Sequence, residues 1–248
     1  MLKDGERLED LQYKGLRIIQ SDEGFRFGTD SVLLAGFVKA APHEKAVDLG
    51  SGTGVIAMLV AVRTGAEFTA VEIQPEQCDM ARRSMELNGL DIPVLEADMR
   101  TVHVDLGRGR FDLAVVNPPY YPASGGAVSE KGGEGFRGAA THDIFCTMEE
   151  VAGSAARLIK YGGKLFICCP ASRLAELIVV LTKEKLEPKR LRMVAARAEK
   201  APYLALVEAK KGAAPGMIVE KQLVISNSDG SYTEEVREIY HINDERTV

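Results

Sequence analysis

The chain contains no tryptophan, and aromatic residues make up only 6% of its 248 positions. Its core therefore has to be built from small aliphatic side chains. Cysteine is equally scarce: Cys78, Cys146, Cys168 and Cys169 are the only four, and none falls in a C-x-x-C spacing, which argues against a zinc ribbon or a disulfide scaffold. The vicinal pair lies in an apolar stretch, 164–169, and reads as reduced core thiols. The four histidines, at 43, 103, 142 and 241, include no i, i+4 pair, so no metal is expected. No apolar run approaches the length of a membrane span. The opening Met-Leu-Lys-Asp-Gly-Glu-Arg is too charged for a secretory segment. The expectation is a cytoplasmic protein that is monomeric and independent of membranes. Positive charge is also in deficit, with 31 Lys plus Arg against 36 Asp plus Glu for a net −5, so the molecule as a whole does not attract phosphate. No internal repeat and no interdomain linker is found.

With 46% hydrophobic residues the chain can bury one sizeable core. Strand and helix patterns alternate from 45 to 185, the signature of an α/β fold with a doubly wound, mainly parallel sheet covered on both faces. Upstream, 16–20 and 25–27 flank Ser21-Asp22-Glu23-Gly24 and predict a hairpin. A helix over 31–40 follows, with Thr29 or Asp30 as its cap. Downstream, a helix over 172–183 precedes two strands, 190–198 and 203–209, that predict an antiparallel hairpin at the sheet edge. The tail, 217–248, predicts an extended stretch, a turn at Asn227-Ser228-Asp229-Gly230 and a short helix over 233–240, with Ser231-x-x-Glu234 as a capping box. The expected division is an N-terminal hairpin and helix (1–40), a core (41–212) and an appendage of the same domain (213–248).

The most informative residues are Asn117-Pro118-Pro119-Tyr120, which follow the apolar run Phe111-Asp112-Leu113-Ala114-Val115-Val116. A proline pair cannot continue a sheet ladder, so the turn sits at the carboxyl end of a buried strand. Open α/β sheets place their chemistry there. The Asn117 amide oxygen and the Pro118 carbonyl can both accept hydrogens from one amino group. Two such acceptors favour a pyramidal nitrogen whose lone pair faces outward, which suits a conjugated NH2 that must act as a nucleophile. Tyr120 offers a flat face for stacking.

Asp48-Leu49-Gly50-Ser51-Gly52-Thr53-Gly54 joins a short apolar strand to an amphipathic helix running to Arg63. A dinucleotide fingerprint, G-x-G-x-x-G, requires Gly at 55, where the chain has Val55. The next strand ends in Glu72, placed to accept ribose hydroxyls. Leu95-Glu96-Ala97-Asp98-Met99 supplies a third acidic strand end, suited to the exocyclic amine of an adenine, with Met99 as an apolar lid. Asp48, Glu72, Asp98 and Asn117 thus end four successive strands. Two further stretches stand out. Residues 122–141 hold six glycines and read as a substrate-gripping loop. Residues 183–211 hold nine basic and four acidic residues, a local +5 that could guide an RNA.

In these features the chain resembles the class I S-adenosylmethionine-dependent methyltransferases and, across nearly its whole length, the bacterial tRNA1(Val) adenine-N6 methyltransferase family. The resemblance rests on Phe27-Gly28-Thr29-Asp30-Ser31-Val32-Leu33-Leu34, the Asp48–Gly54 turn, Asn117-Pro118-Pro119-Tyr120-Tyr121 and Leu206-Val207-Glu208-Ala209-Lys210-Lys211-Gly212. The chain departs from the family at 139–143, where Ala-Ala-Thr-His-Asp replaces a basic Ala-Arg-His-Glu-like stretch. The resemblance implies a seven-stranded, Rossmann-like sheet. It also implies N6 methylation of an adenine (adenine 37) in the tRNA anticodon loop, with S-adenosylmethionine as donor and S-adenosylhomocysteine as product. It places catalysis on Asn117, Pro118, Pro119 and Tyr120. The cofactor would lie against Phe27, Thr29, Asp48, Gly50, Ser51, Gly52, Thr53, Gly54, Glu72, Ile73, Asp98, Met99 and Asn117. Two alternatives are glutamine N5-methylation of a protein, which uses the same turn, and RNA binding with a vestigial cofactor site.

Overall fold

The computed structural model describes residues 2–22, 28–118 and 146–242. Seven strands carry the central sheet: β3 (Lys45–Leu49), β4 (Glu67–Glu72), β5 (Val94–Glu96), β6 (Phe111–Val116), β7 (Ile159–Pro170), β8 (Leu186–Ala195) and β9 (Leu204–Lys211). Their order is β8-β9-β7-β6-β3-β4-β5. From β7 to β5 all pairs are parallel, while β9 runs antiparallel to both β7 and β8. Two short strands, β10 (Ile218–Val219) and β11 (Leu223–Val224), add to β8 in parallel. The doubly wound reading and its antiparallel edge are both present.

Side chains alternate across each strand, and the two sheet faces bury separate clusters. On one face Ala46, Leu113, Val115, Phe166 and Cys168 pack under α1 (Thr29–Phe37) and α2 (Val55–Thr64). On the other, Val47, Leu49, Val116, Leu165 and Ile167 pack under α5 (Met148–Leu158) and α6 (Leu174–Lys183). Fully burying one such Leu or Phe contributes about 1.5–3 kcal/mol. The remaining helices are α3 (Pro75–Leu87), α4 (His103–Leu106) and α7 (Glu234–Ile239). Among the described residues no helix is long and apolar enough to cross a membrane.

Four local features differ from the expectations or add to them. First, β2 (Arg17–Ser21) pairs antiparallel with β1 (Glu6–Asp10), a strand the sequence did not suggest; residues 25–27, its expected hairpin partner, lie outside the described residues. The Glu-Arg-Leu-Glu-Asp sequence of β1 carries no apolar alternation, so periodicity missed it. Its pairing is supported instead by ion pairs such as Arg83–Glu6 (2.5 Å). This hairpin is a separate two-stranded sheet anchored on α3, where Ile19 N donates to Ser84 Oγ (2.9 Å). Second, α1 is capped by Gly28 without a side-chain bond, and Thr29 and Asp30 lie inside its first turn. Third, α7 is capped by Thr233, whose hydroxyl accepts from Val236 N (3.4 Å). Ser231 instead closes the preceding turn by donating to Asp229 Oδ1 (2.6 Å).

The fourth concerns the basic stretch 183–211, in which Arg190, Arg192 and Lys211 bond within the protein. Arg190 pairs with Glu208 and Glu220 and lies 4.3 Å from the centre of the Phe37 ring. Arg192 pairs with Glu235 (2.5 Å). Lys211 Nζ donates to the Ala156 and Ile159 carbonyls (2.6 and 3.0 Å), the C-terminal carbonyls of α5 that a helix leaves without partners.

The tail returns to the core. Val236 of α7 is fully buried in the α1–α2 cluster, and the helices approach so closely that a Cβ on Gly36 would lie 2.9 Å from Ile239 Cγ2.

Candidate active site

Strand register aligns the carboxyl ends of the sheet. Leu49 pairs with Val71 on one side and Val116 on the other, and Glu72 pairs with Glu96. Asp48, Glu72 and Asn117 therefore meet along one edge, as the sequence predicts, and Asp98 lies two residues past the end of β5.

Gly50, Gly52 and Gly54 all take positive φ (69°, 55° and 88°), and this folds the turn back over the strand ends. Gly50 N and Ser51 N donate to Val71 O (2.9 and 3.0 Å). The glycines serve different purposes. A Cβ on Gly54 would strike Met85 Cε at 2.5 Å, and one on Gly50 would crowd Met99 Cε at 3.1 Å, whereas one on Gly52 meets nothing within 4 Å. Gly54 and Gly50 admit the packing of the fold, and Gly52 borders open space that a ligand can fill.

Asp48 points into the α1–α2 side of the sheet and is fully buried. Its Oδ2 accepts from Ala57 N in the first turn of α2 (3.2 Å), while its Oδ1 has no hydrogen-bond partner among the described residues. Burial is the main cause that pushes its pKa up to about 7; the Ala57 bond lowers it, and the charge of Glu72 adds to the rise. Ser51 Oγ, three residues on, is likewise buried and unpartnered. An unsatisfied buried polar atom costs about 1–3 kcal/mol, so a pair of them beside an open turn marks a place built to receive polar ligand groups. Glu72 organises the turn. Its Oε2 accepts from Gly52 N (2.9 Å), and its Oε1 accepts from Ile73 N and Gln74 N (both 2.9 Å). A carboxylate has about four acceptor sites, which leaves one on Oε2 for a hydroxyl. Asp98 turns both oxygens to Arg100, whose Nε lies 3.0 and 2.7 Å away. Burial acts to raise its pKa, but the Arg100 bonds outweigh it and hold the carboxyl below the usual range. Met99 is buried beside it.

Asn117 follows β6 directly, and Pro118 behind it is buried. The Asn117 Nδ2 donates to Ser31 Oγ (2.9 Å), and its Oδ1 accepts from Cys168 Sγ (3.0 Å). The first turn of α1 is fixed from outside. Asp30 accepts from the Tyr203 hydroxyl, and burial, opposed by that bond, raises its pKa. The Thr29 hydroxyl bonds the Tyr240 hydroxyl. Phe27, Pro119, Tyr120 and the loop 122–141 lie outside the described residues.

Sequence reasoning did not single out four participants. Gln20 of β2 is fully buried and donates to Thr53 Oγ1 (2.5 Å), tying the hairpin to the glycine turn. A lone amide closing the run Ile18-Ile19 was its available signal. Cys168 was read only as a core thiol, and Ser31 only as part of a helix. Tyr203 carried no local signal, because its role depends on β9 lying antiparallel beside β7.

A parallel sheet with an antiparallel β9, a glycine turn after its first core strand and acidic residues at successive strand ends define a class I methyltransferase, for which S-adenosylmethionine is the methyl donor. The chain belongs to the methyltransferase small domain family, whose model matches residues 19–177. It is similar to the tRNA1(Val) (adenine(37)-N6)-methyltransferase of Tolumonas auensis, with 27% identity over 90% of this chain and 91% of that one. The Porphyromonas gingivalis (strain ATCC 33277) protein of the same name is 29% identical over 79% of this chain and 78% of that one. Among solved structures, an Agrobacterium tumefaciens protein described as a predicted O-methyltransferase shares the fold. Its TM-score is 0.69 at 24% identity, over 85% of this chain and 95% of that one.

Proposed function

We propose that the protein methylates N6 of an adenine in tRNA, namely adenine 37 of tRNA1(Val). The observation that carries this reading is the Asn117 amide, which the register of β6 and β7 and the first turn of α1 hold at the carboxyl edge of the sheet. The names of the relatives, of which the Tolumonas auensis protein matches over 90% of this chain and 91% of its own, support the choice of adenine.

The cofactor site fits the donor. Asp48 Oδ1 and Ser51 Oγ are unpartnered and can receive the amino-acid end. Glu72 Oε2 has a site for a ribose hydroxyl, and Asp98 with Met99 borders the base. S-adenosylmethionine supplies an electrophilic methyl group on a sulfonium. The chain's own residues supply positioning. Asn117 Oδ1 and the Pro118 carbonyl accept the two hydrogens of the adenine amine and turn its lone pair outward, and Tyr120 stacks on the ring. No strong base is required before transfer, because the amine proton becomes acidic only as nitrogen is alkylated. An anticodon-loop adenine is also cheaper to extrude than a duplex base.

The test is incubation of the purified protein with S-adenosylmethionine and unmodified tRNA1(Val), followed by nucleoside mass spectrometry. N6-methyladenosine should form, and should vanish when position 37 is changed to guanine. Asn117→Ala should reduce turnover by roughly a hundredfold or more with cofactor affinity retained. Methylation of a glutamine peptide without any tRNA product would replace this reading.

A further inference from the structure

An asparagine amide has two ends of nearly equal shape and opposite hydrogen-bonding sense. Rotated by half a turn, Asn117 would present N–H groups where an adenine amine needs an acceptor. Something must fix its orientation. Val116 pairs with Ile167 across the β6–β7 ladder, so the register sets Cys168 beside Asn117. The thiol sulfur lies 3.0 Å from Oδ1 and donates to it. At the other end Nδ2 donates to Ser31 Oγ at 2.9 Å. Both partners are buried, Cys168 at 1% and Ser31 at 5% exposure, so water does not compete for these bonds.

We propose that Ser31 and Cys168 are positioning residues for the Asn117 amide: Ser31 anchors its place, and Cys168 sets its orientation, oxygen toward β7, with the second lone pair left for the substrate amine. The proposal rests on the reading of Asn117 as the acceptor of that amine. A rotated amide would set an N–H against sulfur, a weak acceptor, and would lose the bond that Cys168 now makes. Burial, with the charge of Asp30 adding to it, pushes the Cys168 thiol well above its usual pKa, so it remains a proton donor at physiological pH. The serine end fixes the place of the amide and not its sense, since a hydroxyl can donate or accept. Ser31 sits in the first turn of α1, where Asp30 receives the Tyr203 hydroxyl and Thr29 bonds Tyr240. One amide is thereby gripped from β7 and from α1, two elements far apart in sequence.

The test compares Ser31→Ala, Cys168→Ala and Cys168→Ser, since Cys168→Ser retains a donor. Each variant is characterised by kcat and KM on tRNA, S-adenosylmethionine affinity by calorimetry, thermal melting, and the 15N-resolved side-chain amide protons of Asn117. Ser31→Ala and Cys168→Ala should lower kcat by roughly ten- to a hundredfold, the scale of a misplaced contact to a reacting group. Cofactor affinity should stay within about twofold and Cys168→Ser within about threefold of wild-type kcat, both below the roughly fivefold effect of one ordinary hydrogen bond. Hydrogen exchange of the Asn117 amide should quicken by about tenfold in Ser31→Ala, as expected for a lost buried hydrogen bond. Two outcomes would overturn the proposal: both alanine variants keeping kcat within about twofold of wild type, or Cys168→Ser losing as much as Cys168→Ala. If the wild-type protein methylates no tRNA, the functional reading fails, and the amide exchange alone decides the clamp. If Cys168→Ser does not fold, Ser31→Ala with the same amide readout decides it.

Discussion

Gly52 donates its backbone N–H to Glu72 Oε2 at 2.9 Å, so the glycine turn after β3 and the carboxylate ending β4 form one unit. Glu72→Ala should therefore do two things at once. It should weaken S-adenosylmethionine binding by about 1.5–3 kcal/mol, the range for hydrogen bonds to charged groups, and it should also lower the melting temperature by releasing three backbone donors. Asp48→Ala should weaken cofactor binding by a similar amount. Unchanged calorimetric affinity in both variants would remove these residues from the cofactor site.

The glycines of the turn should separate under substitution. Gly52→Ala places its methyl in open space and costs the fold about 1–2 kcal/mol of left-handed strain. Its loss of cofactor affinity should exceed that figure. Gly54→Ala drives a methyl into Met85 and adds that clash to the same strain, so it should melt well below Gly52→Ala. Melting curves and titrations on the two proteins check this; equal melting with equal affinity would contradict it.

Asp48 gives the cofactor-free protein a pH dependence. Its carboxyl titrates near 7 when folded, against an ordinary value of 3.8. Between those values the folded chain retains a proton that the unfolded chain has released. Stability from this group is therefore complete below pH 4, declines as pH rises toward 7 and levels off above it. Asp48→Asn should flatten that window and, at pH 8, melt above wild type by a margin corresponding to at least about 1 kcal/mol. Because an ionised Asp48 is the form that attracts an ammonium group, cofactor affinity should rise from about pH 6 to pH 8 in wild type. It should stay flat in Asp48→Asn. Melting and calorimetry at stepped pH decide both halves.

Arg190 should behave as a structural residue, not an RNA contact. It and Glu208 are 13% and 12% exposed, and breaking such a pair leaves an uncompensated charge that costs about 3–5 kcal/mol. Arg190→Ala should lower the melting temperature while leaving the salt dependence of RNA binding unchanged. A fall of about 0.7 in the slope of log affinity against log salt, one phosphate contact on a single strand, would show the opposite.

The sequence disclosed those features whose cause is local. Short apolar runs placed β3, β4 and β6, the glycine run located the turn after β3, and the proline pair marked the end of β6. What it concealed depends on partners distant in the chain. The charged run Glu6–Asp10 forms a strand because Arg17–Ser21 and α3 hold it, not because of its own pattern. The nine basic residues between 183 and 211 suggested a polyanion surface, yet Glu220 and Glu235, outside that window, neutralise Arg190 and Arg192. Asp98 announced itself as an acidic strand end, but nothing in its local sequence pattern signals that both oxygens turn to Arg100.

The contact of α7 with α1 imposes an order in time. Thr29, Asp30 and Ser31 leave the ribosome early, whereas Tyr203 and Tyr240, which bond the first two, are made some 170 and 210 residues later. Until then the nascent chain can assemble its glycine turn and strand ends but not a braced α1. Synthesis of the tail thus completes the bracing: a chain stalled before residue 233 would carry Ser31, Cys168 and Tyr203 but lack the Tyr240 and α7 contacts that steady α1.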